Sequence, residues 1–489
     1  MGIKPAGVPG KAWPAIAIGF FVAFGGLLFG YDTGTINGIL EMSYWQRLFS
    51  TGYVNPAGNP DVSPSQESAI VSILSAGTFF GALASPLLAD SIGRRLGLAA
   101  SCWVFNLGVV LQTIATDIPV FLAGRFFAGF GVGLISALVP LYQSETAPKW
   151  IRGAIVGAYQ WAITIGLLLA AIVNNATHNR QDTGSYRIPI AIQFAWSIIL
   201  FVGMIILPET PRFLIKSGHV DRATKALAKL RRLPENDPYV AEEIAEIKAN
   251  HDFETSIGTA SYLDCFRPRG INFIFYYGTQ YFQNSGFSNG FVIGMITSSI
   301  NVVSTIPGMY AVDRWGRRPM LLWGAVGMCV SQFLVAMLGT LTTGQDDAGK
   351  IIVYNLPAQK AAIAFVCIYI FFFASTWGPL AWVVNGEIFG LKTRAKSLSL
   401  STATNSKIFF VWFACCFLCI AFVYFFIYET KGLTLEEVEE LYAEVSVASK
   451  SANWRPATTF RERQAAEGDK AVPHNSDGDT AHHEKTVDA

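Results

Sequence analysis

Two charged side chains lie within or beside long apolar runs. Asp32 follows the run from Trp13 to Phe29, and Arg125 stands inside the run 119–142. A charge at membrane depth is costly, so both should pair or face water. A static structural pair and a pair whose protonation does work would look alike at this level. Amides occur in similar surroundings: Gln160 in the run 153–173 and Asn301 in the run 291–311, with Trp382 in the run 361–384. A lone amide in a spanning helix either ties helices together or meets a polar ligand. At the ends of the runs, acids and arginines recur as Asp90 with Arg94 and Arg95, Glu145 with Arg152, Asp313 with Arg317 and Arg318, and Glu387 with Arg394. Such sets either anchor a membrane end or form a network with two discrete arrangements.

The elements that must position these residues follow from composition. The chain has 489 residues, 52% of them apolar and only 15% charged, with a mean hydropathy of +0.37. A soluble chain would carry about a quarter charged residues. A spanning helix takes about 20 apolar residues, so ten to twelve spans would use roughly half the chain. Lys+Arg number 36 against 35 Asp+Glu, a net charge of +1 that leaves no basic surplus for nucleic acid. Six of the seven cysteines (Cys102, Cys329, Cys367, Cys415, Cys416 and Cys419) sit in apolar runs as small hydrophobes, and no histidine stands near the last three to complete a metal site. No cofactor is expected. The apolar spans hold no Gly-x-Ser-x-Gly elbow, no His-Glu-x-x-His and no phosphate-cradling loop, so an enzyme is not expected either.

The first run lacks a cleavage site and reads as a retained span. Further runs at 70–88, 97–115, 119–142, 153–173, 188–207, 291–311, 320–340, 361–384 and 408–427 give ten clear spans. The charged stretch 208–269 reads as a linker with amphipathic surface helices at Thr224–Arg232 and Ala241–Lys248, and a polar tail follows from about 446. Lys and Arg cluster in the loops after even-numbered spans, which puts those loops and the N-terminus in the cytoplasm. The acceptor triplet Asn175-Ala176-Thr177 then lies outside.

The chain also repeats. Asp90-Ser-Ile-Gly-Arg-Arg95 recurs as Asp313-Arg-Trp-Gly-Arg-Arg318, Glu145 with Arg152 recurs as Glu387 with Arg394, and Pro208-Glu-Thr-Pro-Arg212 has a counterpart in Tyr428-Glu-Thr-Lys-Gly432. Three motifs in the same order make two parallel halves. The second half is short: Glu145 to Pro208 is 63 residues, whereas Glu387 to Tyr428 is 41. The deficit of 22 is one spanning helix, and the run Ile271–Tyr277 is at most half a span.

Gly25-Gly-Leu-Leu-Phe-Gly-Tyr-Asp-Thr-Gly34, Gly124-Arg-Phe-Phe-Ala-Gly-Phe-Gly-Val-Gly133, Pro140 to Gly153, Pro208-Glu-Thr-Pro-Arg212, Gly270-Ile-Asn-Phe-Ile-Phe-Tyr-Tyr277 and Glu429-Thr-Lys-Gly432 together resemble the sugar porters of the major facilitator superfamily, with fungal hexose transporters as the nearest likeness. The resemblance covers about residues 13–445. It implies an all-α membrane protein with the major facilitator fold, in which the seventh helix is truncated and the eleventh is missing. Residues 13–207 would form the N-terminal half, 208–269 the cytoplasmic linker, 270–430 the incomplete C-terminal half and 431–489 an amphipathic segment and tail. Where the family carries a Gln-Gln-Leu-Ser/Thr run before Gly270, this chain has Arg267-Pro-Arg269.

The resemblance implies transport of a monosaccharide inward across the plasma membrane by a monomeric carrier, with protons as a co-substrate and lipid as its surroundings. Gln160, Asn272 and Asn301 match sugar-contacting amides and Trp382 a stacking tryptophan. Phe29 and Tyr277 match residues that line or gate the cavity, and Asn405 a further polar contact. Asp32 and Arg125 match the proton-coupling pair. Asp90, Arg94, Arg95, Glu145, Arg152, Asp313, Arg317, Arg318, Glu387 and Arg394 match a cytoplasmic latch that opens when the carrier faces inward. Uniport and non-transporting sugar sensing are the alternatives within the same fold.

Overall fold

The computed structural model describes residues 10–11, 13–54, 58–257, 290–345, 351–353 and 356–388, with the isolated positions 427, 428, 441, 445, 451 and 454. Among the described residues, eight helices are long and apolar enough to cross a membrane. The first span runs from Trp13 to Leu40, well past the end of its apolar run at Phe29. It is two helices, α1 (Trp13–Val22) and α2 (Phe24–Leu40), broken at Ala23. Across this junction the Gly19 carbonyl keeps the Ala23 N–H at 3.1 Å and also accepts Nε2 of Gln143, from a neighbouring helix, at 2.8 Å. Beyond it come the short α3 (Ser43–Phe49) and the two-residue strands β1 (Tyr53–Val54) and β2 (Pro60–Asp61), paired antiparallel.

The remaining N-terminal helices are α4 (Pro64–Ile92), α5 (Arg94–Ile114), α6 (Ile118–Thr146), α7 (Arg152–Thr177) and α8 (Gly184–Ile206). They outrun the apolar stretches because caps and polar turns extend them past the hydrocarbon. At α4, Ser63 Oγ accepts the Gln66 N–H at 3.4 Å while Gln66 Oε1 accepts the Ser63 N–H at 3.2 Å, with Pro64 in the first turn. Helices α4, α6 and α8 each hold an internal proline, Pro86, Pro140 and Pro189. At Pro86 the carbonyl left without its N–H, that of Ala82, accepts the Ser85 hydroxyl of the same helix at 2.8 Å, a local repair that makes proline tolerable at membrane depth. Glycines let the backbones approach: a Cβ on Gly30 of α2 would stand 1.9 Å from the Ile163 carbonyl oxygen of α7, so only glycine fits there.

In the linker between the halves, α9 (Pro211–Lys216), α10 (Val220–Arg231) and α11 (Pro238–Ile257) pack around Ile215, Leu227, Val240 and Ile244. Arg231 fastens this bundle to the membrane helices. It pairs with Glu243 of α11 at 2.7 Å and donates through Nη1 to the carbonyl of Thr146, the last residue of α6, at 3.1 Å.

The second half comprises α12 (Gly290–Trp315), α13 (Arg317–Thr342), α14 (Leu356–Phe372), a π-helical turn Phe373–Trp377 and α15 (Gly378–Ile388), with a short antiparallel pair of β3 (Thr343–Gln345) and β4 (Ile351–Val353). The two halves meet along α7, which packs against both α12 and α15. Val156 of α7 is buried among Val312, Met320, Leu321, Leu380 and Val383 of the other half.

The repeat read in the sequence has a structural counterpart. Gly93 alone joins α4 to α5 with φ +93°, and Gly316 alone joins α12 to α13 with φ +92°. Each conformation suits glycine because a side chain is strained at positive φ. After each glycine, the first arginine reaches back to the same carbonyl: Arg94 Nη1 to Ala89 at 3.3 Å, and Arg317 Nη1 to Val312 at 3.2 Å. The deficits expected at 271–277 and between Asn405 and Lys407, the span 408–426 and the tail lie outside the described residues.

Candidate functional site

Gln160 and Trp382 come together. Trp382 Nε1 on α15 donates to Gln160 Oε1 on α7 at 2.8 Å, a hydrogen bond between the two halves. Tyr159 meets the Trp382 ring edge-on at 4.8 Å, and its hydroxyl donates to Ser136 Oγ of α6 at 2.9 Å. The indole is thus fixed at its edge by an amide and on one side by a second aromatic ring. Asn301, on α12, has its Oδ1 buried without a hydrogen-bond partner among the described residues. A buried acceptor left unmade costs about 1–3 kcal/mol, which a ligand hydroxyl would recover. Phe29 packs at the edge of the N-terminal core. Asn272, Tyr277 and Asn405 lie outside the described residues.

Asp32 and Arg125 form a second constellation, wholly inside the N-terminal half. Arg125 Nη1 lies 3.0 Å from Asp32 Oδ1 and 3.1 Å from Oδ2, and both side chains are buried. Gln193 of α8 is also buried, and its Oε1 has no hydrogen-bond partner among the described residues. The sequence reading passed over Gln193, although it is an amide inside an apolar run, the same signal that singled out Gln160.

At the helix ends on the linker side the charged residues form two unequal sets. Arg94 reaches Glu145 at 3.1 Å and Asp90 at 3.6 Å, and Asp90 also pairs with Lys216 of the linker at 2.8 Å. Glu209, in the Pro208-Glu-Thr-Pro-Arg212 motif, accepts the backbone N–H groups of Arg94 and Arg95 at 3.2 and 3.0 Å. Burial pushes the Glu209 carboxyl above its ordinary value, against the opposing pull of the Thr210 and Arg95 N–H groups. Arg95 donates through Nη1 to the Leu207 carbonyl at 3.3 Å. This set binds the first half to its linker.

The second set crosses the halves. Asp313, 3.4 Å from Arg317, accepts the Ala154 N–H at 3.0 Å. Ala154 is in the first turn of α7, where no side chain of the same helix supplies a cap. Asp313 therefore caps, from the other half, a helix end that carries partial positive charge. Arg152 opens α7 and is buried. Arg318 lies in the first turn of α13. Glu387 falls in α15 with its side chain outside the described residues, as is Arg394 altogether.

Comparison with known proteins agrees with this architecture. Residues 18–408 match the family model for sugar (and other) transporters. The major facilitator-type transporter ecdD of Aspergillus rugulosus is 63% identical, with 95% of this chain and 94% of that protein covered. The match extends over 508 positions, more than the 489 residues available, so it opens gaps in this chain. The probable glucose transporter rco-3 of Neurospora crassa is 44% identical, covering 96% of this chain and 86% of that one. Among solved structures, the proton:xylose symporter XylE of E. coli, bound to 6-bromo-6-deoxy-D-glucose, superposes with a TM-score of 0.73 at 25% identity, covering 88% of this chain and all of that one. Two parallel helical halves joined by a helical linker, a polar contact where they meet and this match over most of the length place the chain in one group: it belongs to the sugar transporter family of the major facilitator superfamily.

Proposed function

We propose that the chain carries a monosaccharide, a hexose, inward across the plasma membrane as a monomer by alternating access, and that a proton travels with it. The observation that carries this reading is the Trp382–Gln160 hydrogen bond. It joins the halves at a point where an amide and an indole face are available to a polyhydroxyl ligand, and Asn301 Oδ1 of α12 is a further buried acceptor with no partner among the described residues. A sugar that takes over these hydrogen bonds changes what holds the halves together, which is the differential contact alternating access requires.

The proton would reside on Asp32. While ionised, Asp32 holds Arg125 at 3.0 Å in a site from which water is excluded. Protonation removes one charge of the pair, leaves Arg125 to seek other acceptors and alters the packing of α2, which crosses α7 at Gly30 beside the sugar site. The match to a proton:xylose symporter supports the same assignment. On the cytoplasmic side, the Asp313 cap on α7 holds the halves together while the site faces outward and parts when it opens inward.

The test is uptake of radiolabelled glucose in a host lacking its own hexose carriers, with the pH of an unbuffered medium followed in parallel. The chain is compared with a form into which the 22-residue deficit after Asn405 is restored. Saturable uptake with alkalinisation supports symport. Uptake without alkalinisation identifies a uniporter, and sugar binding without uptake in either form identifies a sensor.

A further inference from the structure

Helix α10 presents a face that the fold does not use. Leu227 and Leu230 are buried, and Arg231 is taken up by Glu243 and the Thr146 carbonyl. Arg222, Lys225 and Lys229 stand elsewhere on the helix, at i, i+3 and i+7, and so line one stripe of it. All three are exposed, and none makes an ion pair or hydrogen bond with any of the described residues. Asp221, in the first turn, is the only acid on this helix. The apolar side of α10 is spent on the linker core, so what the outer face offers a partner is charge.

Both ends of α10 are held against membrane-spanning helices. Ahead of it, Lys216 of α9 lies 2.8 Å from Asp90, near the end of α4. At its far end Arg231 holds the last residue of α6, and its own carbonyl accepts the Lys11 N–H at 2.8 Å, just before the first span. Gly10 permits that approach: its φ is +77°, and a Cβ there would stand 2.5 Å from the Arg231 carbonyl oxygen. Arg232 follows in the left-handed region, at φ +52°, and lays its guanidinium over the Trp13 ring, 5.0 Å from the centroid. Trp13 opens the first span and is 53% exposed. An indole at the end of a span sits at the level of the lipid headgroups. The basic face, about 15 Å long from Arg222 to Arg232 at 1.5 Å per residue, therefore lies along the ends of the N-terminal half and finishes at the membrane boundary, where the exposed Lys11 adds a further cation.

We propose that this face of α10, with Lys11, docks on the acidic phospholipid headgroups of the leaflet next to it. This rests on the reading that places the linker in the cytoplasm, the side on which the leaflet is anionic. Two features favour a lipid surface over a soluble partner. The cations are spread along the membrane ends of the helices and do not converge on a cleft, and Arg232 is drawn to an interfacial tryptophan. Each Lys or Arg held near such a surface strengthens the contact about fivefold. Because Arg231 and Lys11 tie α10 to α6 and α1, the lipid would steady the linker against the N-terminal half.

The experiment uses the full chain, purified and reconstituted in phosphatidylcholine liposomes that contain a small fraction of phosphatidylserine with a photoreactive headgroup, or of phosphatidylcholine carrying the same group. Cross-linked peptides are mapped by mass spectrometry and normalised to labelling of the spanning helices. Peptides covering 222–232 should be labelled by the phosphatidylserine probe and far less by the phosphatidylcholine probe. The triple variant Arg222→Gln, Lys225→Gln and Lys229→Gln should lower that labelling by about a hundredfold, about fivefold for each charge, whereas Lys225→Arg with Lys229→Arg should keep it. Raising the salt from about 0.1 to 1 M, which cuts the screening length from about 10 to 3 Å, should also suppress it. Equal labelling by the two probes, or labelling that survives in the triple variant, would overturn the proposal. So would its loss on adding polyglutamate at matched ionic strength, which would assign the face to an acidic protein. Both leaflets of these liposomes have one composition, so the result is independent of which side the linker faces and of whether the chain moves sugar. Should the triple variant fail to fold, the probe and salt comparisons on the parent still decide.

Discussion

Trp382 Nε1 donates to Gln160 Oε1 at 2.8 Å, so residues 222 positions apart in sequence hold the two halves of the chain together. On the alternating-access reading proposed above, a bond that spans the halves belongs to one conformation and must break or be replaced in the other.

Trp382→Phe keeps the ring but removes the donor, and Gln160→Ala removes the acceptor. Each should weaken apparent sugar affinity by about 1–3 kcal/mol. The double variant should lose less than the sum, since the two side chains share one interaction. Half-saturation constants for uptake check this, and additive losses would show that the two act separately.

Asp313→Ala should free the first turn of α7 from its cross-half cap. A carboxylate at a helix start is worth about 0.5–2 kcal/mol, so the balance should shift several-fold toward the inward-open form. The measurement is thiol labelling of a cysteine introduced at the cytoplasmic face. Labelling rates equal to the parent's would rule out a latch at this position.

Gly93→Ala and Gly316→Ala place a side chain at φ +93° and +92°. At Gly93 the new Cβ would also stand 2.5 Å from Glu209 Oε2. Each should destabilise by more than about 1 kcal/mol, lowering the melting temperature of the detergent-solubilised protein. Parallel losses at both sites would be the energetic signature of the repeat.

Glu209 supplies a pH test. Its carboxyl is raised above the ordinary value, chiefly by burial. A group that binds its proton more tightly folded than unfolded contributes stability at low pH and loses it as the pH rises through the interval between the ordinary and the raised value. Relative to Glu209→Gln, the parent's melting temperature should therefore decline across that interval above pH 4.5. Parallel curves would remove Glu209 as the source.

The sequence by itself determined the architecture: membrane-spanning helices arranged as a repeat of two halves. Apolar run length, loop charge and motif spacing are local properties, and lipid admits few structures that satisfy them. It also required that Asp32 find a partner, since a lone charge at that depth is too costly. Tertiary structure decided the rest. Sequence grouped Glu145 and Arg152 with Asp90 and Arg94, and the structure sets both Glu145 and Asp90 against Arg94. Asp313 adds to its own Arg317 the backbone of a helix from the other half. Gln160 of α7 turns to Trp382 of the other half. The junction at Ala23 is hidden within one continuous apolar stretch, and Gln143, more than a hundred residues away, adds a hydrogen bond to the Gly19 carbonyl there. In each case the outcome depends on how far each helix is rotated about its axis and how deeply it is set. Those quantities are fixed by close packing between helices, such as the contact of Gly30 with Ile163, and no periodicity within a single helix encodes them.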